Sequence, residues 1–256
     1  MKILITGVTG TLGSVLLRKL EADGHFLYCL VRSSGKLSPA ARLKALESKA
    51  ISIGGDITKP MCGLSAESVA MLKDAEIDAV LHCAASINFS LSKKAETHLI
   101  NTGGTANVLE LAGGIDAKSF HHISTAYVAG DSKYFSESDL QKNQVFRNPY
   151  EKSKFDAEEM IRLWCLRHGI PFSIYRPSVI VGDSASGEIE SFDGYYGFFK
   201  YLAAMRDRAR ENIRLGISNG FAKMVKGNLV FFPITIRCSF FSTINLVARN
   251  WVADNI

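Results

Sequence analysis

The sequence predicts a doubly wound parallel α/β sheet, and three observations carry that prediction. Short apolar, β-branched runs alternate with amphipathic stretches as far as Tyr175. The runs are apolar throughout rather than at every second residue, as in strands covered on both faces. A glycine triplet, Gly7, Gly10 and Gly13, separates the first run from the first helical stretch.

The elements follow in order. Ile3–Ile5 is a strand, and Thr11–Asp23 is a helix. Phe26–Val31 with Pro39–Glu47, and Ile51–Ile53 with Ser65–Asp74, repeat the pair. Ala79–His82 precedes one long helix reaching about Ala112. Ser119–Ile123, a helix from Tyr150 to His168, and Phe172–Tyr175 continue the alternation. Beyond Gly182 it stops, and Gly, Ser and aromatic residues dominate. Residues 1–182 therefore read as a nucleotide-binding domain. Residues 183–256 read as a partial substrate lobe that returns to the core near 242–256.

Composition narrows the function classes. Hydrophobic and charged contents of 47% and 21% are usual for a soluble globular protein. Five scattered cysteines, with no C-x-x-C pair, suit reduced thiols in a cytoplasm better than disulfides or a metal site. The greasy stretch Leu229–Phe241 is interrupted by Pro233 and Arg237 and is too short to span a bilayer. No leader segment is expected ahead of the first strand. The net charge of +5 is matched by one stretch, Lys200–Lys226, where seven basic residues face Asp207 and Glu211. That stretch is either a solvated helix face or a receptor for phosphate or an acidic partner. Nothing in the chain points to nucleic acid.

Gly7-Val8-Thr9-Gly10-Thr11-Leu12-Gly13 has the spacing G-x-x-G-x-x-G. Glycines there let the backbone turn tightly and approach a pyrophosphate, whose charge the helix N-terminus favours. The second strand ends at Arg32, where Asp or Glu would bind a ribose 2′-hydroxyl; arginine suits a 2′-phosphate and so NADPH. Arg42 is a second candidate, equally readable as an exposed helix arginine. Asp56, in Gly55-Asp56-Ile57, is placed near the adenine amino group or caps a turn.

At the chemical end, Tyr150 and Lys154 lie four apart at the start of a helix and so share a face. A neighbouring ammonium lowers a phenol's pKa toward the range of general acid–base work. Ser124 and Thr125 follow a central strand, at the edge where open sheets hold ligands. His121 and His122 have no partner at metal-ligand spacing and read as packing or surface residues, so no metal is expected. A Ser/His/Asp hydrolase is disfavoured, because no G-x-S-x-G elbow is present.

Together the glycine triplet, His82-Cys83-Ala84-Ala85, Asn101-Thr102-Gly103-Gly104-Thr105, the Ser-Thr segment and the Tyr/Lys pair resemble an extended short-chain dehydrogenase/reductase with a Rossmann-type sheet. His122–Gly130 and Tyr175–Gly187 resemble its thioester-reductase and fatty acyl-CoA reductase branch. The resemblance is dense from residue 1 to about 200. It implies Thr125 as the active hydroxyl with Tyr150 and Lys154. It also implies a cofactor site of Gly7, Thr9, Gly10, Thr11, Leu12, Gly13, Arg32, Arg42, Asp56, Ile57, Ala84, Ala85, Tyr150 and Lys154, with Pro177, Ser178 and Val179 at the nicotinamide.

The chain departs from that branch near its end. Its N-L-V-P-V-D-x-V-A-D segment is here Asn245-Leu246-Val247-Ala248-Arg249-Asn250-Trp251-Val252-Ala253-Asp254, without the Pro and Asp of the core. The family continues well past this point, so the expectation is a truncated form or a reduced lobe. The expected activity is NADPH-dependent reduction of an acyl thioester, on coenzyme A or an acyl or peptidyl carrier protein, to an aldehyde. The alternatives are an NADP(H)-dependent ketone or alcohol dehydrogenase, a sugar-nucleotide epimerase, and a non-catalytic NADP(H)-binding protein.

Overall fold

The computed structural model describes residues 1–184, 186–187, 204, 206–208, 246–254 and 256. Strands β1 (Lys2–Thr6), β2 (Phe26–Val31), β3 (Ile51–Gly54), β4 (Ala79–His82), β5 (Phe120–Ile123) and β6 (Phe172–Tyr175) form one six-stranded sheet. Every pairing is parallel and the order is β3-β2-β1-β4-β5-β6. The doubly wound prediction holds. A second, two-stranded parallel sheet pairs β7 (Val179–Val181) with β8 (Leu246–Ala248).

Alternate residues of the strands feed two cores. Leu4, Leu30, Ile53, Val80 and Phe120 bury one face against Leu72 of α3 (Ala66–Asp74), Leu111 of α5 (Gly104–Gly114) and Ile161 of α6 (Pro149–His168). Ile3, Ile5, Cys29, Val31 and Leu81 bury the other against Leu16 and Leu17 of α1 (Thr11–Ala22) and Leu43 of α2 (Pro39–Lys44). Val252 and Ala253 of α7 (Arg249–Asp254) join the second core, and Lys19 of α1 meets Asp254 at 3.0 Å. Covering on both faces is why the strands read as unbroken apolar runs.

The long helix expected up to Ala112 is interrupted. It runs as α4 (Lys94–His98), a π-helical turn (Leu99–Gly103), then α5. The wider turn buries Asn101 and Thr102, two polar side chains that the apolar pattern of a regular helix would not place inward.

Residues 1–190 with 246–256 form one compact unit, and residues 191–245 form another. The substrate lobe expected over 183–256 and the basic stretch Lys200–Lys226 fall for the most part outside the described residues. Among the described residues, no helix is long and apolar enough to cross a membrane.

The sheet order reverses between β1 and β4, which opens a crevice at their C-terminal ends. Two glycines there are needed for close packing. At Gly7 (φ +78°) an added Cβ would lie 2.6 Å from the Ala84 nitrogen, and at Gly13 it would lie 2.1 Å from the Gly7 carbonyl oxygen. At Gly10 the nearest atom would be 3.4 Å away. Alanine favours a helix interior over glycine by about 1 kcal/mol, but backbone cannot yield to a 2.1 Å contact. Gly13→Ala is therefore expected to destabilise the fold by about 1–3 kcal/mol, while Gly10→Ala stays within about 0.5 kcal/mol. Urea denaturation of the two variants checks the contrast, and equal effects would overturn it.

Candidate active site

The Gly7–Gly13 loop presents the start of α1 to the crevice. Gly10 caps α1 with no side-chain hydrogen bond, and the helix's first turn holds no acidic residue. The leading N–H groups of α1 are thus left to an anion, and the helix dipole favours one. Leu12 and Gly13 are buried, Thr11 is half-buried, and Thr9 is exposed. Across the crevice the half-buried Ala84 donates its N–H to Thr6 Oγ1 at 3.2 Å, and Ala85 is exposed. This cradle fits the pyrophosphate of a dinucleotide.

Beyond the end of β2 lies a cavity of about 380 Å³ lined by Arg32, Ser33, Pro39, Gly55, Asp56 and Lys59, among others. Arg42 does not reach into its lining. It donates to the Arg32 carbonyl at 2.7 Å and to Thr9 Oγ1 at 2.9 Å, tying the loop after β2 to the glycine loop. Asp56 Oδ1 accepts from the Thr58 N–H at 2.9 Å and the Thr58 hydroxyl at 2.8 Å. Burial opposes its ionisation, but those bonds with Arg32 and Lys59 hold its carboxyl below the usual range. Ile57 packs its side chain against Gly104 of α5, and its carbonyl accepts from Asn107 at 2.7 Å. Lys59 is a cavity residue that the sequence pattern did not flag.

Helix α6 is placed by its caps. Asn148 Oδ1 accepts from the Glu151 N–H at 3.0 Å, and Glu151 Oε1 accepts from the Asn148 amide at 2.8 Å. Pro149 occupies the first turn, and Gly169 (φ 67°) ends the helix in the left-handed conformation. The capped start sets Tyr150, Lys154 and Glu158 on one buried face, four residues apart.

Thr125 sits just past β5, buried, and its Oγ1 accepts from the Tyr127 N–H at 3.3 Å. Thr125 and Tyr150 meet as the resemblance implied. Burial pushes the Tyr150 phenol up to about 12, against the Thr125 hydroxyl, which pulls it down. The expected lowering of Tyr150 by Lys154 is thus corrected. The Lys154 ammonium turns to β5, donating to the Ile123 carbonyl at 2.6 Å and meeting His122 Nε2 at 2.9 Å. Burial brings Lys154 down to about 8, partly offset by Glu158. The reading of His122 as packing or surface is corrected too: it is buried and bonded to the lysine.

The π-helical turn supports the same place. Asn101 accepts from the Ser86 N–H at 2.7 Å and donates to the Ser86 carbonyl at 3.0 Å and to Ser153 Oγ at 2.9 Å. Phe89 meets the Tyr150 ring edge-on, with centroids 5.5 Å apart. The Pro177 carbonyl accepts from the Ala126 N–H at 2.9 Å, so the segment Pro177-Ser178-Val179 is held beside the Thr125 turn. Glu158, fully buried, meets Arg176 through both carboxylate oxygens, at 2.6 Å for the shortest contact. Arg176 also donates to the carbonyls of Ser136, Glu137 and Asp139. It thereby pins the segment between Gly130 and Asn148 over α6. Glu158, Phe89 and Lys59 have no signature in the sequence, and Arg176, inside the Tyr175–Gly187 motif, gives no sign there of its distant partners. The α6 capping box, Asn148 with Glu151, was legible in principle.

Removing the Glu158 charge leaves a guanidinium with no carboxylate in a buried position. Glu158→Gln is expected to cost about 3 kcal/mol of stability, read from urea denaturation. A loss under about 0.5 kcal/mol, the scale of an exposed pair, would contradict the burial argument.

Comparison with known proteins agrees with this geometry. Residues 5–215 match the model of the NAD-binding family described as "Male sterility protein". The chain is 33% identical over 211 residues to a linear gramicidin synthase from Brevibacillus parabrevis, covering 74% of this chain and 4% of that one. It is 30% identical over 210 residues to the nonribosomal peptide synthetase asaC of Aspergillus flavus, covering 73% and 20%. Among solved structures, the terminal R domain from the myxalamid PKS-NRPS biosynthetic pathway is 32% identical with a TM-score of 0.66, over 75% of this chain and 52% of that one. A thiolation-reductase di-domain from an archaeal nonribosomal peptide synthetase shares the fold at 23% identity and TM-score 0.66, over 81% and 60%. The chain thus spans a small fraction of these curated relatives and about half of the solved R domain. Matched over residues 5–215 and sharing the parallel sheet, the chain belongs to the male-sterility-type NAD-binding family of the extended short-chain dehydrogenases/reductases.

Proposed function

We propose that this chain is an NADPH-dependent reductase that converts an acyl thioester, carried on coenzyme A or on a carrier protein, to an aldehyde. The observation that carries this is the convergence of Thr125, Tyr150 and Lys154 beside the crevice between β1 and β4. The likeness to a terminal R domain supports a carrier-bound thioester over a sugar nucleotide. Unpaired thiols at Cys29, Cys62, Cys83 and Cys165 support a cytoplasmic setting.

The nicotinamide cofactor supplies the hydride. Gly7, Thr9, Gly10, Thr11, Leu12 and Gly13 hold its pyrophosphate, with Ala84 and Ala85 across the crevice. Asp56 and Ile57 border the adenine, and Pro177, Ser178 and Val179 the nicotinamide. Arg32, with Lys59 beside it, favours a 2′-phosphate over a free ribose hydroxyl. Thr125 and Tyr150 hold the thioester carbonyl oxygen and oppose the negative charge that develops there. Tyr150 gives up its proton. With that hydride, the Tyr150 proton would balance conversion of the thioester to an aldehyde and a free thiol as the carbon–sulfur bond breaks. Lys154 holds the ribose and keeps positive charge near the phenol.

The test is NADPH oxidation with acyl-phosphopantetheine-carrier, acyl-CoA, ketone and sugar-nucleotide substrates. Turnover of thioesters is expected, with a loss of at least about 100-fold in Tyr150→Phe. Turnover of ketones alone would overturn the proposal. Because Tyr150 stays protonated to about 12, the basic limb of kcat/KM in the free enzyme belongs to Lys154 and is expected near pH 8. Activity is full below that pH and falls as the ammonium is lost. A separate variant, Arg32→Ala, is expected to raise KM for NADPH about tenfold or more while leaving KM for NADH unchanged. Equal changes for both cofactors would count against the 2′-phosphate.

A further inference from the structure

Two buried histidines lie under the site, their ring centroids 5.2 Å apart, and they are used differently. His82 is fully engaged. The Thr105 hydroxyl donates to the Asn101 carbonyl at 2.6 Å, so it accepts from His82 Nε2 at 3.2 Å. That leaves His82 Nδ1 to accept from the Thr6 hydroxyl at 2.7 Å. Thr6 Oγ1 in turn accepts from the Ala84 N–H. Every proton in this chain is assigned, and it ties the cofactor crevice to the π-helical turn. Burial keeps His82 neutral, with a pKa of about 3.

Among the described residues, His122 is engaged at one nitrogen only. Its Nε2 meets the Lys154 ammonium, which has no lone pair, so Nε2 accepts and the proton sits on Nδ1. Nδ1 is buried and has no partner among the described residues. An unpaired buried N–H is a cost that an apolar side chain of the same shape would avoid. A histidine kept only for packing gains nothing to offset it. The offset is the hydrogen bond to a buried cation that would otherwise hold only the Ile123 carbonyl. An ammonium has three donors. His122 and Ile123 take two, leaving one for the ribose.

We propose that His122 is a positioning residue, a neutral acceptor that anchors the Lys154 ammonium to β5 and leaves one N–H for the cofactor ribose. The proposal rests on the assignment of Lys154 to the ribose. The groups that face Lys154 are His122 on β5, His82 and Cys83 at the end of β4, and Glu158 on α6. Of these, His122 alone accepts a hydrogen bond from Nζ among the described residues. Its loss therefore makes the ammonium easier to deprotonate.

The experiment titrates NADPH binding by cofactor fluorescence from about pH 6 to about pH 9, on the full chain without substrate. The variants are His122→Phe, His122→Gln, Lys154→Met and the double variant His122→Phe/Lys154→Met. His122→Phe is expected to weaken binding about tenfold at pH 7 and to move the pH at which binding fails about one unit lower. His122→Gln, whose amide oxygen accepts in place of Nε2, restores most of both. In the Lys154→Met background, His122→Phe adds nothing. Wild-type binding in His122→Phe, equal losses in Phe and Gln, or full additivity with Lys154→Met would each overturn the proposal. Should His122→Phe fail to fold by circular dichroism, His122→Leu is read in its place. Because turnover is not measured, absence of thioester reduction in the wild type would sink the proposed activity and leave this result standing.

Discussion

The site depends on burying one lysine ammonium. Lys154 is 2% exposed, and a charge removed from water is tolerated only when its donors are met and an opposite charge is near. The Ile123 carbonyl and His122 meet two of the three donors, and Glu158, one turn further along α6, supplies the charge. Glu158 is in turn neutralised by Arg176, whose remaining N–H groups fasten the segment between Gly130 and Asn148. A cation needed at one point thus organises a helix face, a strand edge and a loop. Burial still brings Lys154 down to about 8, so the compensation is partial.

The same constraint clarifies the tyrosine. A buried phenol is held neutral, and burial outweighs the Thr125 hydroxyl. Lys154 does not produce a phenolate in the protein alone, because its ammonium is engaged by β5. A neutral phenol is the form that donates a proton, so the elevated value agrees with reduction rather than opposing it. In the proposed reaction the lysine's part is to position the ribose and lend positive charge once a carbonyl begins to gain electrons.

The cofactor end is governed by close approach. Gly7 and Gly13 let the first loop, the start of α1 and the Cys83–Ala84 backbone come within distances that any side chain would forbid. The Ala84–Thr6–His82–Thr105–Asn101 chain of hydrogen bonds runs from that crevice beneath the site to the π-helical turn. Asn101 then holds Ser86 and Ser153, the latter lying between Tyr150 and Lys154. The glycine crevice and the Tyr150/Lys154 face are mounted on one polar frame.

By itself the sequence determined what is local or periodic. Apolar runs covered on both faces predicted the parallel sheet, the glycine spacing predicted the crevice loop, and the four-residue interval predicted the shared face of Tyr150 and Lys154. These depend on strand and helix geometry, which a few neighbouring residues dictate. The six-stranded sheet and its helices were legible, apart from the π-helical turn, whose inward Asn101 follows no apolar period. The site was legible as a set of residues but not as a circuit. Which way Lys154 points, that Arg42 ties two loops together, that Lys59 joins Arg32, and that His122 is a partner rather than filler were decided by tertiary structure. Lys154 and His122 stand 32 positions apart, and Asp56 and Lys59 reach the end of β2 only through sheet pairing. Desolvation does the rest, since the direction of a pKa shift depends on what closes over the group, and that is set only once the chain has folded.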